Sequence, residues 1–357
     1  MAEPIEGKER SIPDIKVRVN GTDLPPEIDA DIIEVSVCDH VSGASWFCVN
    51  FSIWDSNQQE FKYIDEQRFK EGAKLEIGLG YDESTVVALI KGEVTTLEPE
   101  FNEDGGPTLK VEGYDSLHRF RRGKKTKSYL NQKDSDIARK IASELGLGAE
   151  VEDTGIQHDY LLQNNLSDID FLLERARRIR YELTIEDGKL VFRKAANNKD
   201  KAVTLELGLT LRSFYPRLST VSQVSEVIVQ GWDMKTKQAI KGQARSGDAV
   251  SKMGGAQLGA SITESAFFAA KNIIIHKPIF SEGEANQIAK GEFNEMAVDF
   301  ITGEGTAIGN IDVRAGKVVE LLGLGTRFSG FYYVTSATHI IDESGYSTKF
   351  TVERNST

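Results

Sequence analysis

The stretch GAKLEIGLGY (residues 72–81) recurs in altered form as GKVVELLGLG (residues 316–325). Each stretch precedes a strand-like segment, a polar turn and a final strand-like segment, KGEVTTLEPEFNEDGGPTLKVEGYD (91–115) and SGFYYVTSATHIIDESGYSTKFTVER (329–354). A weaker pair is VNFSIWD (49–55) and SEVIVQGWD (225–233), which both end in Trp-Asp. Chance similarity between amphipathic strands is an alternative explanation, but the shared order of the segments favours two copies of one β domain.

Strand patterns fill the region around the first copy, residues 15–123. Six segments alternate apolar and polar residues or contain β-branched runs, and Gly, Pro, Asn and Asp separate them. Regular spacing of this kind is typical of a small antiparallel barrel or sandwich. We therefore predict a mainly β (α+β) fold with two related antiparallel β domains, each a small barrel or sandwich.

Helical periodicity replaces the strand pattern between the two copies. DSDIARKIASELG (134–146) predicts a helix with Asp134 or Ser135 as its N-cap and Gly146 after its last turn. LSDIDFLLERARRIRYEL (166–183) predicts a second helix, and an Asp187-Gly188 hairpin follows it. These segments predict a compact α/β unit inserted between the β domains.

Two carboxylates, Asp168 and Asp170, stand at the start of the second predicted helix. Such a pair could bind a metal ion or act as a general acid and base. Ser167, three residues before Asp170, instead gives the pattern of a capping box, and acids in a first turn offset the helix dipole. We therefore interpret Ser167 and Asp170 as helix-cap residues.

Four regions follow from these patterns. The second β domain contains a polar, Gly-rich and partly helical stretch at 234–304, which we interpret as an insertion. The predicted regions are an N-terminal tail (1–14), a first antiparallel β-barrel domain (15–125), a small α/β domain (126–200) and a second antiparallel β-barrel domain (201–357).

Composition and charge limit the classes of function. The length of 357 residues suits two or three domains, and the net charge of −12 argues against general nucleic-acid binding, which needs a cationic excess. The first residues show no secretory signal, and no stretch reaches the roughly 18 apolar residues that span a bilayer. We expect a protein that is made in the cytoplasm without a signal peptide.

The two cysteines, Cys38 and Cys48, are equidistant from Gly43 in a predicted hairpin. Pairing them across the hairpin would place Val35, Val37, Val49 and Phe51 together on the other face. A cross-strand disulfide is possible, but two free thiols are the expected state in a cytoplasmic chain.

Basic residues form two clusters. The run RFRRGKKTK contains Arg119, Arg121, Arg122, Lys124, Lys125 and Lys127, and the helix predicted at 166–183 carries Arg175, Arg177 and Arg178. Nucleic-acid or phosphate binding is one interpretation. No RNA- or DNA-binding fold pattern accompanies the run, so we favour docking of the run onto an acidic protein neighbour. For the helix arginines, Glu174 and Arg178 form a favourable i,i+4 pair, and we favour a solvated or partner-facing surface.

No motif of catalytic or cofactor chemistry is complete in the sequence. The five histidines are scattered, and the glycine-rich stretches GEGTAIGN and GLGLG lack the following helix that a dinucleotide site requires. We therefore predict no catalytic, cofactor-binding or metal site, and no enzyme activity.

Three segments, GYDSLHRFRRGKKT (113–126), SDIARKIASELGL (135–147) and HDYLLQNNLSDIDFLLERARRIRYELTIEDGKLVFR (158–193), resemble the phage late control gene D protein family. The end of the chain, GNIDVRAGKVVELLGLGTRFSGFYYVTSATHIIDESGYSTKFTVERN (309–355), resembles the C-terminal β domain of the same family. Its members are baseplate hub proteins of contractile phage tails, related to the hub part of type VI secretion spike proteins. The resemblance covers nearly the whole chain, and its helical block is the most specific part.

The resemblance implies a structural hub of a contractile, phage-tail-like injection particle. Two tube-like domains per chain would give a homotrimer pseudo-sixfold symmetry, so that it joins the sixfold tail tube to the threefold spike. The implied partners are two further copies of the chain, a spike protein, the tail tube ring and baseplate or sheath components. The implied location is the baseplate of a phage tail or of an extracellular contractile particle, and the family's catalytic activities sit in appended segments.

Two other functions stay open at this point. The first is a phage tail hub with cell-wall-degrading, lysozyme-like activity during entry. The second is a monomeric carbohydrate-binding β protein, suggested by Trp46, Trp54 and Trp232, although these side chains suit strand cores equally well.

Overall fold

A computed structural model describes residues 14–80, 86–102 and 106–357 of the chain. The predicted N-terminal tail (1–14) lies outside these ranges except for Asp14. The described residues divide into two compact units. Unit 1 contains those up to Cys38, those of Trp46–Asp115 and the segment His339–Ser347, and unit 2 contains Asp39–Ser45, Ser116–Thr338 and Thr348–Thr357.

One antiparallel sheet organises unit 1. The elements of this part of the chain are β1 (Asp14–Val19), β2 (Thr22–Asp23), α1 (Pro26–Asp29), β3 (Ile32–His40), β4 (Trp46–Ser52), β5 (Trp54–Asp55), β6 (Glu60–Phe61), β7 (Lys74–Gly80), β8 (Val87–Glu100) and β9 (Thr108–Tyr114). The sheet has the order β2-β1-β7-β8-β9-β4-β3, and β5 pairs separately with β6. Alternation along the strands buries one face, which includes Val35, Val37, Val49 and Phe51.

The hairpin of β3 and β4 corrects one sequence prediction. Cys38 lies opposite Trp46, and Cys48 lies opposite Ser36, so the two cysteines are not cross-strand partners. Neither cysteine forms a disulfide bond. The predicted face of Val35, Val37, Val49 and Phe51 is nevertheless buried, because a register shift of two residues leaves every side chain on the same face.

The α/β part of unit 2 follows the first strands. Its elements are a 3-10 helix (Ser116–Arg121), β10 (Lys125–Lys133), α2 (Asp134–Glu144), β11 (Gly148–Val151), β12 (Gln157–Leu166), α3 (Asp168–Arg178), β13 (Tyr181–Glu186) and β14 (Lys189–Lys194). β10 and β12 form a two-stranded ribbon, and β11-β14-β13 form a three-stranded sheet. Ile137, Ile141, Ile169 and Leu172 of the two helices belong to one buried apolar core.

The ends of α2 match the sequence only in part. Gly146 has φ +72°, as its predicted position after the last turn requires. The N-cap is Lys133 and not Asp134 or Ser135, and the Lys133 N–H donates to the Asp136 carboxylate at 3.2 Å. Asp134 begins the helix, where its carboxylate is directed into a buried ion pair.

The remaining elements form a second large sheet and a group of inserted elements, all in unit 2 except for the segment His339–Ser347. They are β15 (Lys201–Glu206), β16 (Leu211–Leu218), β17 (Glu226–Asp233), β18 (Gln238–Arg245), a 3-10 helix (Ser246–Asp248), α4 (Gly259–Phe267), β19 (Lys271–Ile274), α5 (Glu282–Val298), β20 (Ile301–Ile308), β21 (Val318–Leu322), α6 (Gly325–Phe328), β22 (Gly330–Asp342) and β23 (Gly345–Arg354). The large sheet has the order β15-β21-β22-β23-β20-β16. Its buried face includes Leu205, Val319, Tyr332 and Val334.

The inserted elements lie between β16 and β20 and have their own core. β18-β17-β19 form a three-stranded sheet, and Val227, Val229, Ile288 and Phe293 join it to α5. Helix and sheet approach closely at Gly242, where a Cβ would lie 2.2 Å from the carbonyl carbon of Ala285. The insertion therefore spans residues 219–300 in the strand order, whereas the sequence predicts 234–304.

The two large sheets share one strand order. Numbered along the chain, the six strands of unit 1 (β1, β3, β4, β7, β8, β9) lie in the order first, fourth, fifth, sixth, third, second. The six strands of the large sheet of unit 2 (β15, β16, β20, β21, β22, β23) lie in the same order. The Trp-Asp match from the sequence is wrong, because β4 corresponds to β20, while β17 belongs to the separate inserted sheet.

The start of the sequence repeat has the same backbone geometry in both sheets. Gly72 has φ +81° and its N–H donates to Val94 O at 2.8 Å, and Gly316 has φ +79° and its N–H donates to Val334 O at 2.9 Å. The bonds in the opposite direction also match: the Val94 N–H donates to Ala73 O, and the Val334 N–H donates to Lys317 O, both at 2.9 Å. The prediction of a mainly β fold is confirmed.

Candidate interaction surface

The acid pair at the start of α3 is engaged in structural bonds. Ser167 is the N-cap, and its hydroxyl accepts from the Asp170 N–H at 3.2 Å and donates to the Asp170 carboxylate at 2.6 Å. Asp168 is buried and accepts from Lys125 Nζ at 2.6 Å and Gln163 Nε2 at 3.0 Å. The cap thus lies where the sequence predicts it, and both carboxylates have protein partners.

Strand alternation divides the basic run into two groups. Lys125 and Lys127 of β10 are half-buried, and Lys127 Nζ lies 2.7 Å from Glu144 of α2. Together with the Lys125–Asp168 pair, this contact fastens the ribbon to both helices. These two lysines are predicted as docking residues, but their charges are used inside unit 2 because they lie on the side of β10 that faces the helices.

The other four cations of the run are exposed. Arg119, Arg121, Arg122 and Lys124 lie in or just after the 3-10 helix Ser116–Arg121. Leu117 and Phe120 of that helix are buried in the apolar core and hold it in place. The exposed cations are therefore presented by an anchored segment, which is a suitable base for an interaction surface.

The arginines of α3 differ in the same way. Arg175 is predicted on a docking surface, but it is only 7% exposed: its Nε donates to Asp134 Oδ1 at 2.6 Å, and His158 lies beside it. Burial acts to raise the pKa of Asp134, but the hydrogen bond with His158 and the charge of Arg175 hold that pKa below its usual value. Arg178 donates to Pro278 O at 2.9 Å, and only Arg177 is exposed.

The outer face of the ribbon carries apolar side chains that sequence reasoning did not single out. Leu130 pairs with Tyr160, and Leu162 pairs with Ser128 on the same face. Leu130, Tyr160 and Leu162 are 60%, 51% and 43% exposed. The alternation in KTKSYLNQK (125–133) contains this signal, because a strand with lysines on its inner side must place Leu130 outside. Exposed apolar side chains beside cations are typical of protein interfaces.

Unit 2 also contains a cavity of about 900 Å³. Ionisable side chains from several elements line it, among them Arg180, Glu182, Tyr333 and Glu353. Burial raises the pKa of Glu182 to about 7 although Tyr333 donates to its carboxylate. Sequence reasoning missed these residues because no motif links positions so far apart in the chain.

The tryptophans are not all core residues. Trp54 packs against Phe61 with ring centroids 5.4 Å apart and is exposed, as is Trp232 on β17. Trp46 is half-buried between Cys38 and Tyr114 on the neighbouring strands. The expectation that strand cores account for these side chains therefore fails for Trp54 and Trp232.

Across residues 14–80, 86–102 and 106–357, no group of three or more His, Cys, Asp or Glu side chains has the arrangement of a metal site. In the same part of the chain, each helix is too short or too polar to cross a bilayer.

Solved structures with the same fold include two tail proteins. A 43 kDa tail protein of prophage MuSo2 from Shewanella oneidensis is 16% identical, with a TM-score of 0.71 over 96% of this chain and 98% of that one. A tail protein from Neisseria meningitidis MC58 is 12% identical, with a TM-score of 0.65 over 96% of each chain. The fold of this chain is thus a phage tail protein fold along nearly its full length.

A third similar structure comes from a secretion system. The E. coli c3393 protein, a component of the type VI secretion system with structural similarity to the T4 bacteriophage tail proteins gp27 and gp5, is 12% identical. Its TM-score is 0.59 over 96% of this chain and 77% of that one.

Sequence comparison adds one match. No curated protein sequence matches the chain. The family described as the Alg8 N-terminal domain matches residues 9–343, and the chain belongs to this family.

Proposed function

We propose that this protein is a structural component of a phage tail or a related contractile injection particle, and within it the hub between tail tube and spike. The fold shared with tail proteins and with a type VI secretion component supports the coarser part of this proposal. The finer part agrees with the late control gene D resemblance, which stays a prediction.

The observation that carries the hub proposal is the strand order common to both large sheets. A chain with two similar sheets can offer two similar faces to its neighbours. Three such chains would offer six similar faces, which match a sixfold tube on one side. On the other side, the threefold symmetry of the trimer matches a threefold spike. We accordingly propose two related tube-like domains, with the α/β part between them and the insertion at 219–300 in the second.

For docking, we propose a surface defined by Arg119, Arg121, Arg122, Lys124, Leu130, Tyr160 and Leu162, which we call the ribbon surface. Its cations suit an acidic partner. The chain as a whole has a net charge of −12, so this concentrated basic patch differs in sign from the chain that carries it. Its apolar centre supplies the contact area that charge alone does not. We propose a baseplate or spike component as the occupant, and Arg177 as a further exposed cation.

A charge-reversal series tests the ribbon surface. Arg121→Glu with Arg122→Glu and Lys124→Glu should weaken binding to co-expressed spike and baseplate proteins at least tenfold, because repulsion replaces attraction. The matched control reverses Lys199, Lys241 and Lys317, three exposed lysines elsewhere in unit 2. Equal loss in both variants, or no loss in either, would contradict this surface.

We propose that the chain acts without catalysis. The alternative of a cell-wall-degrading hub needs two carboxyl groups placed across a substrate cleft. Glu182 and Glu353 share a cavity, but Tyr333 and Arg180 respectively bond to their carboxylates. A peptidoglycan turbidity assay distinguishes the two: the purified chain should leave the suspension turbid, and clearing that Glu182→Gln abolishes would establish the enzyme.

A further inference from the structure

The cavity of about 900 Å³ lies where three parts of unit 2 meet. The α/β part contributes Arg180 and Glu182, and the large sheet contributes Tyr333 of β22 and Glu353 of β23. Helix α5 of the insertion contributes Glu295. Ionisable side chains are seldom buried unless they are paired, so a joint that is rich in them needs a physical explanation.

Glu182 is the most enclosed of these carboxyl groups, at 4% exposure. The Tyr333 hydroxyl donates to its Oε1, whereas its Oε2 has no hydrogen-bond donor among the described residues. The nearest cation to Oε2 is Arg193 Nε at 4.0 Å. Burial raises the pKa of Glu182 to about 7, the charges of Arg193 and Arg180 oppose this effect, and Glu186 adds to it.

Glu353 shares the cation Arg180 with Glu295. Its side chain is 17% exposed, and Arg180 Nη2 donates to it at 2.7 Å. Arg180 Nε also donates to Glu295 at 3.1 Å, so one guanidinium serves two carboxylates. Burial raises the pKa of Glu353 to about 7, and although Arg180 lowers it, the charges of Glu295, Asp299 and Glu182 raise it further.

The other charges around the cavity are arranged in local pairs. Lys277 lies 2.8 Å from Glu292, and Arg178 lies 3.2 Å from Glu284. Asp170, Glu174, Arg177 and His276 complete the charged lining. None of these groups is placed within hydrogen-bond distance of Glu182 or Glu353 among the described contacts, so the two carboxyls depend on Tyr333, Arg180 and Arg193.

We propose that Glu182 and Glu353 make the joint between the α/β part, the large sheet and α5 sensitive to pH. With both groups protonated, the joint holds two fewer buried negative charges and packs more firmly. With both ionised, the carboxylates around the joint outnumber Arg180 and Arg193, and the joint loosens. The inference does not depend on the proposed function, because it concerns unit 2 of the isolated chain.

The sign of the effect follows from the raised pKa values. A carboxyl whose folded pKa lies above its unfolded value of 4.5 binds its proton more tightly in the folded state. Its stabilising contribution is complete below about pH 4.5 and is lost as the pH rises through about 7. Between about pH 5 and pH 8, unit 2 should therefore become less stable as the pH rises.

Thermal unfolding of the full chain tests the proposal. From about pH 5.5 to pH 8.5 the wild-type Tm should fall by on the order of 5 °C. The Glu182→Gln and Glu353→Gln pair, which mimics the protonated state, should lose more than half of that slope. The matched control Glu264→Gln removes an exposed acid of α4 that does not line the cavity, and it should retain most of the slope. A flat wild-type profile, or an unchanged slope in the double variant, would overturn the proposal.

Hydrogen exchange on the wild type supplies a test that needs no variant. After correction for intrinsic chemical exchange, protection of β13 and of the end of α5 should decrease at least threefold from about pH 6 to pH 8. The core of α2 in the same molecule is the internal control and should stay constant. Equal changes in both regions, or none in either, would contradict a local joint.

Discussion

The two large sheets share a strand order, but the glycine and the aromatic ring of one packing pair have exchanged strands between them. In unit 1, Phe47 of β4 lies opposite Gly113 of β9, and a Cβ on that glycine would lie 2.4 Å from the Phe47 ring. In the second sheet the glycine is Gly305 on β20, the strand that corresponds to β4. The ring is Phe350 on β23, the strand that corresponds to β9. In both sheets an aromatic ring on one strand covers a glycine on its neighbour, and the same two strands of the shared order are involved. The strand that carries the ring in one sheet carries the glycine in the other.

The sheets differ most in one connection. Residues 41–45 join the second and third strands of unit 1, whereas residues 219–300 join those of unit 2 and carry a sheet and two helices. A further difference is that β1 is antiparallel to β7 while β15 is parallel to β21. Because the entropy of closing a loop grows slowly with its length, a large insertion at a connection can leave the strand order intact.

The largest expected effect comes from removing either aromatic ring. Phe47→Ala and Phe350→Ala should each lower the free energy of unfolding of their own unit by about 4 kcal/mol, because a fully buried ring is replaced by a cavity. Urea unfolding measures this, with Trp46 and Trp54 reporting on unit 1 and Trp232 on unit 2. Costs that differ more than about twofold would show that the two positions are not equivalent.

A smaller and unequal effect is expected at the glycines. A Cβ on Gly113 would lie 2.1 Å from the backbone oxygen of Glu93, whereas the nearest atoms to one on Gly305 belong to the Phe350 side chain. Gly113→Ala should therefore cost about 3 kcal/mol and Gly305→Ala about 1.5 kcal/mol. Combining the latter with Phe350→Leu should recover part of the loss, while Phe47→Leu should not rescue Gly113→Ala. Rescue at both sites would contradict the backbone clash.

The smallest effect is expected at the matched turns. Gly72→Ala and Gly316→Ala each place a Cβ in the left-handed region, at φ +81° and +79°, and should each cost about 1 kcal/mol. Urea unfolding with the same tryptophan reporters measures both. A neutral result at one turn only would mean that the common hydrogen-bond pattern does not reflect a common constraint.

The sequence predicts the elements well where the signal is local. Ser167 with Asp170, Gly146, and the Asp187-Gly188 turn, whose residues both have positive φ, depend on neighbours within a few positions. The repeat of residues 72–81 at 316–325 is also visible, because two similar glycine turns precede similar strands.

Other features depend on contacts that local patterns do not contain. Arg175 looks like a surface cation in its helix, and only the fold brings Asp134 to it. The Trp-Asp match failed because an amphipathic strand has the same alternation in any sheet. The pairing of Cys38 with Cys48 is wrong by two residues. A shift of two residues keeps each side chain on its face of the sheet, so the hydrophobic pattern cannot distinguish the two registers.

We propose that two similar sheets per chain let three chains form a ring with six similar faces. Electron microscopy of the chain co-expressed with its spike protein tests this directly. We expect a ring of three chains, with a mass three times 39.5 kDa, in which six similar β regions surround the axis. A chain that stays monomeric beside the spike, or a ring in which only one of the two sheets faces the axis, would contradict it.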